Sequence, residues 1–291
     1  MEKSLKNYFA LLFLATVWGS SFILMKKGLI VFSDVEVAAL RLFIAFLSLV
    51  PFLFKAFKKV KEKHILPIVI MALFGNGIPA FLFTKAQTQL DSSLVGILNS
   101  LVPLFTLLLG MYFFKSKPSK ENITGVLLGF SGAVLLTMYS MGGEVEVNSY
   151  VLLVILATVM YAISINVIKK YLQGIDALSV TALAFAIIGP FSGFYIYNAD
   201  FLALAQTDKG VEALFYISLL AVVGTSSAVV IFNKLINRSS AIFASSVTYL
   251  IPIVAILWGV FDGEKVTLIH LISVAVILSG VYLVNKKSPT K

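Results

Sequence analysis

Two stretches decide the architecture: GNGIPAFLFTKAQTQLDSSLVGILNSLVP, residues 75–103, and GTSSAVVIFNKLINRSSAIFASSVTYLIP, residues 224–252. Laid over each other without a gap, they pair Gly75 with Gly224, Phe83 with Phe232, Lys85 with Lys234, Leu101 with Leu250 and Pro103 with Pro252. The register continues outward. Ala15-Thr16-Val17 answers Ala157-Thr158-Val159, each followed by a lysine pair, Lys26-Lys27 and Lys169-Lys170, and Ser131-Gly132 answers Ser279-Gly280. Identities are few, so order, spacing and matched hydropathy carry the repeat. It divides the chain into residues 1–140 and 149–287.

The medium around these repeats follows from composition. The chain is 59% hydrophobic and 13% charged over 291 residues, with a mean hydropathy of +0.98, beyond what a soluble core absorbs. Apolar runs bounded by charges or turn residues predict spans at 5–25, 35–54, 65–85, 92–114, 121–140, 149–169, 177–197, 211–232, 240–261 and 266–285. The fold class is therefore all-α integral membrane, with ten transmembrane helices. The absence of cysteine excludes a thiolate metal site and a Cys nucleophile, and two histidines, His64 and His270, argue against a His-built metal centre. No cofactor motif stands out. The formal charge of +9 comes from lysines in short loops, which speaks against nucleic acid and for a lipid bilayer as the partner of this surface.

Those lysines set a direction. The N-terminus and the loops after the second, fourth, sixth and eighth spans, together with the tail, hold 17 lysines and arginines, against five opposite, with Arg41 inside a span. Basic excess marks the cytoplasmic side, so both termini are expected there, in a multi-pass protein of the cell membrane. Five spans is an odd number, so the second repeat enters inverted relative to the first. Inverted repeats recur in secondary transporters, with the site near the midplane between them. Lys115 and Glu264 stand at equivalent positions, one cytoplasmic and one external, as a positive-inside bias would arrange.

The residues also resemble a family. Trp18-Gly19-Ser20-Ser21-Phe22, Leu40-Arg41-Leu42 with Ala45, the spans of Pro103 and Pro252, and Gly263-Glu264 before the Gly280 helix are similar in order and spacing to EamA-type members of the drug/metabolite transporter superfamily. The departure is Lys115, where the family usually carries Glu. The resemblance implies a ten-helix basket around a central cavity, alternating access, and export or exchange of a small polar metabolite.

Polar side chains inside spans are expensive in lipid, so they are the candidate substrate contacts. Arg41 is the sharpest, roughly 10 Å inside the outer end of the second span at about 1.5 Å per residue. It can hold substrate, or snorkel and brace neighbouring carbonyls. Ser20, Ser21 and Asn99 reach a comparable depth; Tyr161, Ser164 and Asn166 on the sixth span and Thr248 and Tyr249 on the ninth form the other half of the set. Asn76 and Thr225, paired by the repeat, fall beside glycines near the midplane, and Trp18 offers an indole donor. Any one Ser or Asn also serves as helix glue. Pro103 and Pro252 free backbone carbonyls and are candidate gating positions. Gly125, Gly129 and Gly280 are expected to let helices approach closely.

Rival functions have weaker support. Gly129-Phe130-Ser131-Gly132 imitates an intramembrane protease motif, but its Ser-Gly pair recurs in the second repeat, and His270 is the only histidine in a predicted span. No phosphate-cradling Gly-x-x-x-x-Gly-Lys-Ser/Thr occurs. A channel would need a charge ring or a repeated carbonyl filter. Glu36 and Asp91, near outer span ends, leave protons open as a coupling ion. The small-molecule substrate and the choice between monomer and homodimer are also left open.

Overall fold

The computed structural model describes residues 2–90, 92–140, 148–199, 201–261 and 267–285. Asp91, Glu144, Gly263, Glu264, Lys265, Lys286, Lys287 and Lys291 lie outside the described residues. The chain is all-helical there and crosses the membrane many times. Eight helices are long and apolar enough to span: α1 Leu5–Leu29, α2 Asp34–Phe57, α3 Glu62–Ala86, α4 Leu94–Tyr112, α6 Val151–Tyr171, α7 Ala177–Asn198, α8 Asp208–Arg238 and α10 Leu268–Asn285. Helix α5, Lys120–Ser140, and the broken helix α9, Ala241–Ser245 with Val247–Phe261, complete the ten.

The helices overrun the expected spans at their C-terminal ends. Lys26 and Lys27 fall in the last turn of α1, Lys169 and Lys170 in that of α6, and Arg238 in that of α8. Cations there meet the negative end of the helix dipole, and their long stems reach toward the interface. A charge ends an apolar run without ending the helix.

Packing follows the repeat. Helix α5 lies along α10 and α2 along α7, each pair joining equivalent helices. The α1 contact with α9 is mirrored by α6 with α4, and the α1 contact with α8 by α6 with α3. Glycines permit the closest approach: a Cβ on Gly280 would stand 2.5 Å from the Gly129 nitrogen and 2.7 Å from the Gly125 carbonyl oxygen. Both second helices start from a cap at equivalent positions. Ser33 accepts from the Glu36 N–H in a capping box, and the Asp176 carboxylate accepts from the Ser179 N–H.

Two wide π-helical turns interrupt α3 at Leu73–Gly77 and α8 at Val222–Ser227, again at equivalent places. Each has a side chain reaching back five residues. Asn76 Nδ2 donates to the Met71 carbonyl at 3.1 Å, and Thr225 Oγ1 donates to the Leu220 carbonyl at 3.0 Å. These bonds occupy carbonyls in the loosened turns, and such turns are frequent at functional sites.

The prolines are not symmetric in effect. Helix α4 breaks at Ser100 and Leu101, so Pro103 falls in the first turn of the following segment, where a missing N–H removes no bond. Helix α9 breaks at Ser246, and Pro252 remains inside a helix. There Ser245 and Ser246 hydroxyls donate to the carbonyls of Ile242 at 2.9 Å and Phe243 at 2.7 Å, competing with the backbone ladder. The Thr248 carbonyl, four residues before Pro252, is approached by Ser100 Oγ at 3.3 Å.

Candidate functional site

Between the repeats lies a cavity of about 120 Å³. Its wall is built from equivalent residues of the two halves. Trp18 and Tyr161 face it from α1 and α6, Ser21 and Ser164 from the next turn of each, and Asn76 and Thr225 from the two π-turns. Asn99 and Thr248 face it from α4 and α9.

The aromatic contacts repeat as well. Trp18 meets Phe232 edge-on at 5.0 Å between centroids, and Tyr161 stacks on Phe83 at 5.7 Å. The Trp18 indole Nε1 donates to the Gly224 carbonyl in the α8 π-turn at 3.0 Å, which fixes the ring against the cavity. Gly224 and Gly75 pack closely against the two serines. A Cβ on the first would sit 2.9 Å from Ser21 Oγ, and one on the second would collide with Ser164 Oγ.

Arg41 breaks this symmetry. It is the eighth residue of its helix, and the eighth residue of α7 is Ala184, which is fully buried. Arg41 Nε donates to Thr225 Oγ1 at 2.7 Å, and two turns further on Ser48 Oγ donates to Ser226 Oγ at 2.9 Å. Both bonds tie α2 to the π-turn of α8. Among the described residues the two terminal amino groups of Arg41 have no hydrogen-bond or ion-pair partner, although Arg41 lines the cavity. Nearby carboxylates are engaged: Asp34 pairs with Lys85 at 3.6 Å, and Glu36 accepts from the Ser33 N–H and hydroxyl at 2.8 Å each. Asn99 Oδ1 is also buried without a partner among the described residues.

Thus Trp18, Ser21, Arg41, Asn76, Asn99, Tyr161, Ser164, Thr225 and Thr248 come together on one cavity. Three further candidates point elsewhere. Ser20 donates to the Thr16 carbonyl at 2.8 Å. Asn166 Nδ2 spans from the Ala162 carbonyl at 2.9 Å to the Thr106 carbonyl at 3.1 Å, bracing α6 against α4. Tyr249 donates to the Val126 carbonyl at 2.9 Å, with its ring against Gly129, bracing α9 against α5. Pro103 and Pro252 do not line the cavity. Asn233 and Ser245 do, and sequence reasoning passed over both. The sequence carries a signal for Asn233, since Thr225, Val229, Phe232 and Asn233 share one helical face, but the apolar run that predicts the eighth span stops at residue 232.

Ser131 and His270 are engaged separately, the hydroxyl with the Leu128 carbonyl at 3.0 Å and the ring Nδ1 with the Thr267 N–H at 3.0 Å. The arrangement therefore offers binding groups, with a guanidinium fork as its strongest. Against this geometry, the model of the EamA-like transporter family matches twice, at residues 5–138 and 148–286. The chain belongs to the EamA-like transporter family. Among this transporter's relatives, the uncharacterized transporter YvbV of Bacillus subtilis is 27% identical over 96% of this chain and 91% of its own. A probable amino-acid metabolite efflux pump of Salmonella typhimurium is 26% identical over 96% and 95%. The uncharacterized inner membrane transporter YedA of Escherichia coli is 26% identical over 95% and 89%. A solved crystal structure superposes with a TM-score of 0.74 at 15% identity over 96% of both chains, which supports the fold.

Proposed function

We propose that this EamA-like transporter carries small carboxylate metabolites, with amino acids as the first class to test, by alternating access of the cavity between its inverted repeats. Arg41 carries the reading. Its Nε is committed to Thr225, which presents the remaining fork to the cavity, and a guanidinium fork matches a carboxylate through two parallel hydrogen bonds. The unpartnered Asn99 Oδ1 suits an N–H or O–H of the same molecule. Trp18, Phe22, Phe83 and Phe232 supply an apolar wall. The Salmonella relative's name points to the same chemistry. The lysine bias supports cytoplasmic termini and a plasma-membrane location.

A thermal-stabilisation screen of the purified chain tests this by comparing amino acids with their amides, such as L-leucine with L-leucinamide. The acids are expected to stabilise and the amides to fail. Losing a charge-assisted pair is worth about 1.5–3 kcal/mol, so Arg41→Gln should weaken binding about 10- to 100-fold. Arg41→Lys keeps the charge without the fork and should fall between. Equal stabilisation by acids and amides, or wild-type affinity in both variants, would remove the carboxylate reading. Saturable counterflow in liposomes separates a carrier from a channel.

A further inference from the structure

The same guanidinium creates a difficulty for the empty protein. For the cavity to pass from one side to the other it must close, and closing removes bulk water from the terminal amino groups of Arg41. Inside the protein the only hydrogen-bond partner of Arg41 among the described residues is the Thr225 hydroxyl, which is itself committed to the Leu220 carbonyl. Among the described residues no Asp or Glu lines the cavity. The equivalent position in the other repeat is Ala184, so the inverted half supplies no ionic group at that place. Occluding an unpaired charge is strongly unfavourable, whereas one paired with an anion and hydrogen-bonded to it is far better compensated.

We infer that this protein works as an exchanger, moving one carboxylate in for one out, because the bare Arg41 fork holds the empty cavity open until the next anionic group occupies it. The inference rests on the carboxylate reading above. Closing loaded is then fast and closing empty is slow, which couples the two directions without a proton-binding carboxylate in the cavity. Arg41 thereby has two roles: it holds substrate, and it penalises the unloaded return.

The test uses the full chain in proteoliposomes loaded with a radiolabelled amino-acid mixture and diluted into buffer with or without the same unlabelled mixture. The external mixture should speed label loss by at least about 10-fold, equivalent to about 1.4 kcal/mol between the two closing steps. In Arg41→Gln, matched for insertion and gel-filtration profile, that ratio should fall toward one, because the empty form no longer holds a charge. Arg41→Lys should keep a high ratio at weaker affinity. Saturable label loss at one rate in both buffers overturns the exchange inference and leaves the carboxylate reading standing. No protein-dependent label loss in either buffer overturns both. A ratio unchanged in Arg41→Gln overturns the assignment to Arg41.

Discussion

Gly280→Ala is the sharpest test of how the two repeats are joined. The added Cβ would stand 2.5 Å from the Gly129 nitrogen, 2.7 Å from the Gly125 carbonyl oxygen and 2.8 Å from Gly129 Cα. All three are backbone atoms, so no rotamer change relieves the contact. Ordinary contact lies near 3.4–4 Å, so α5 and α10 must separate by about 1 Å. A gap of about 0.5–1 Å forfeits a quarter to a half of each dispersion contact along the most extensively packed helix pair of the fold. Overpacking of this kind costs about 1–3 kcal/mol, and the backbone setting places it at the upper end. Gly96→Ala is the control, because its Cβ would meet nothing nearer than Ile251 Cγ2 at 4.0 Å. Relief of glycine's backbone entropy should leave that variant neutral or about 0.5–1 kcal/mol more stable. Thermal unfolding in detergent, followed by gel filtration, reads both. A Gly280→Ala protein as stable as Gly96→Ala would refute the close α5–α10 approach.

The remaining predictions address the residues around the cavity. Tyr249→Phe removes a buried donor to the Val126 carbonyl and should lower stability by about 1 kcal/mol, leaving substrate affinity unchanged in the thermal-shift assay. Pro252→Ala restores a helical N–H beside the Thr248 carbonyl that Ser100 approaches and should alter turnover more than binding. Pro103→Ala, in a first turn, should change turnover less, and initial rates in proteoliposomes compare the two. Lys58→Cys and Lys117→Cys should react with an impermeant maleimide only from the cytoplasmic side; labelling of either from outside would reverse the orientation.

Much of the fold was legible because the bilayer reduces it to one dimension. The register that pairs Gly75 with Gly224 and Asn76 with Thr225 also pairs the two π-turns, and the small residues Gly125, Gly129 and Gly280 announced the closest helix contact. Position along each helix axis was readable too, since rise per residue is fixed. Rotation about each helix axis was not. Asn166 and Tyr249 stand close along their helices to the cavity-lining Ser164 and Thr248 yet turn toward α4 and α5, because only packing partners distant in sequence decide which face meets the cavity. The Trp18 bond to the Gly224 carbonyl joins residues 206 apart, beyond any local pattern. Asn233 was hidden by the basic end of α8, where Lys234 and Arg238 read as loop while the helix continues to Arg238.

One measurement bears on the whole account: the reactivity of Ser21→Cys and Ser164→Cys, equivalent positions on the cavity wall, in a chain without native cysteine. Each is probed in oriented vesicles with an impermeant thiol reagent applied from one side at a time, with and without a stabilising carboxylate. Alternating access between inverted repeats predicts that both positions react from either side and that the carboxylate protects both. Reaction of both positions from one face only, under every loading condition, would contradict it.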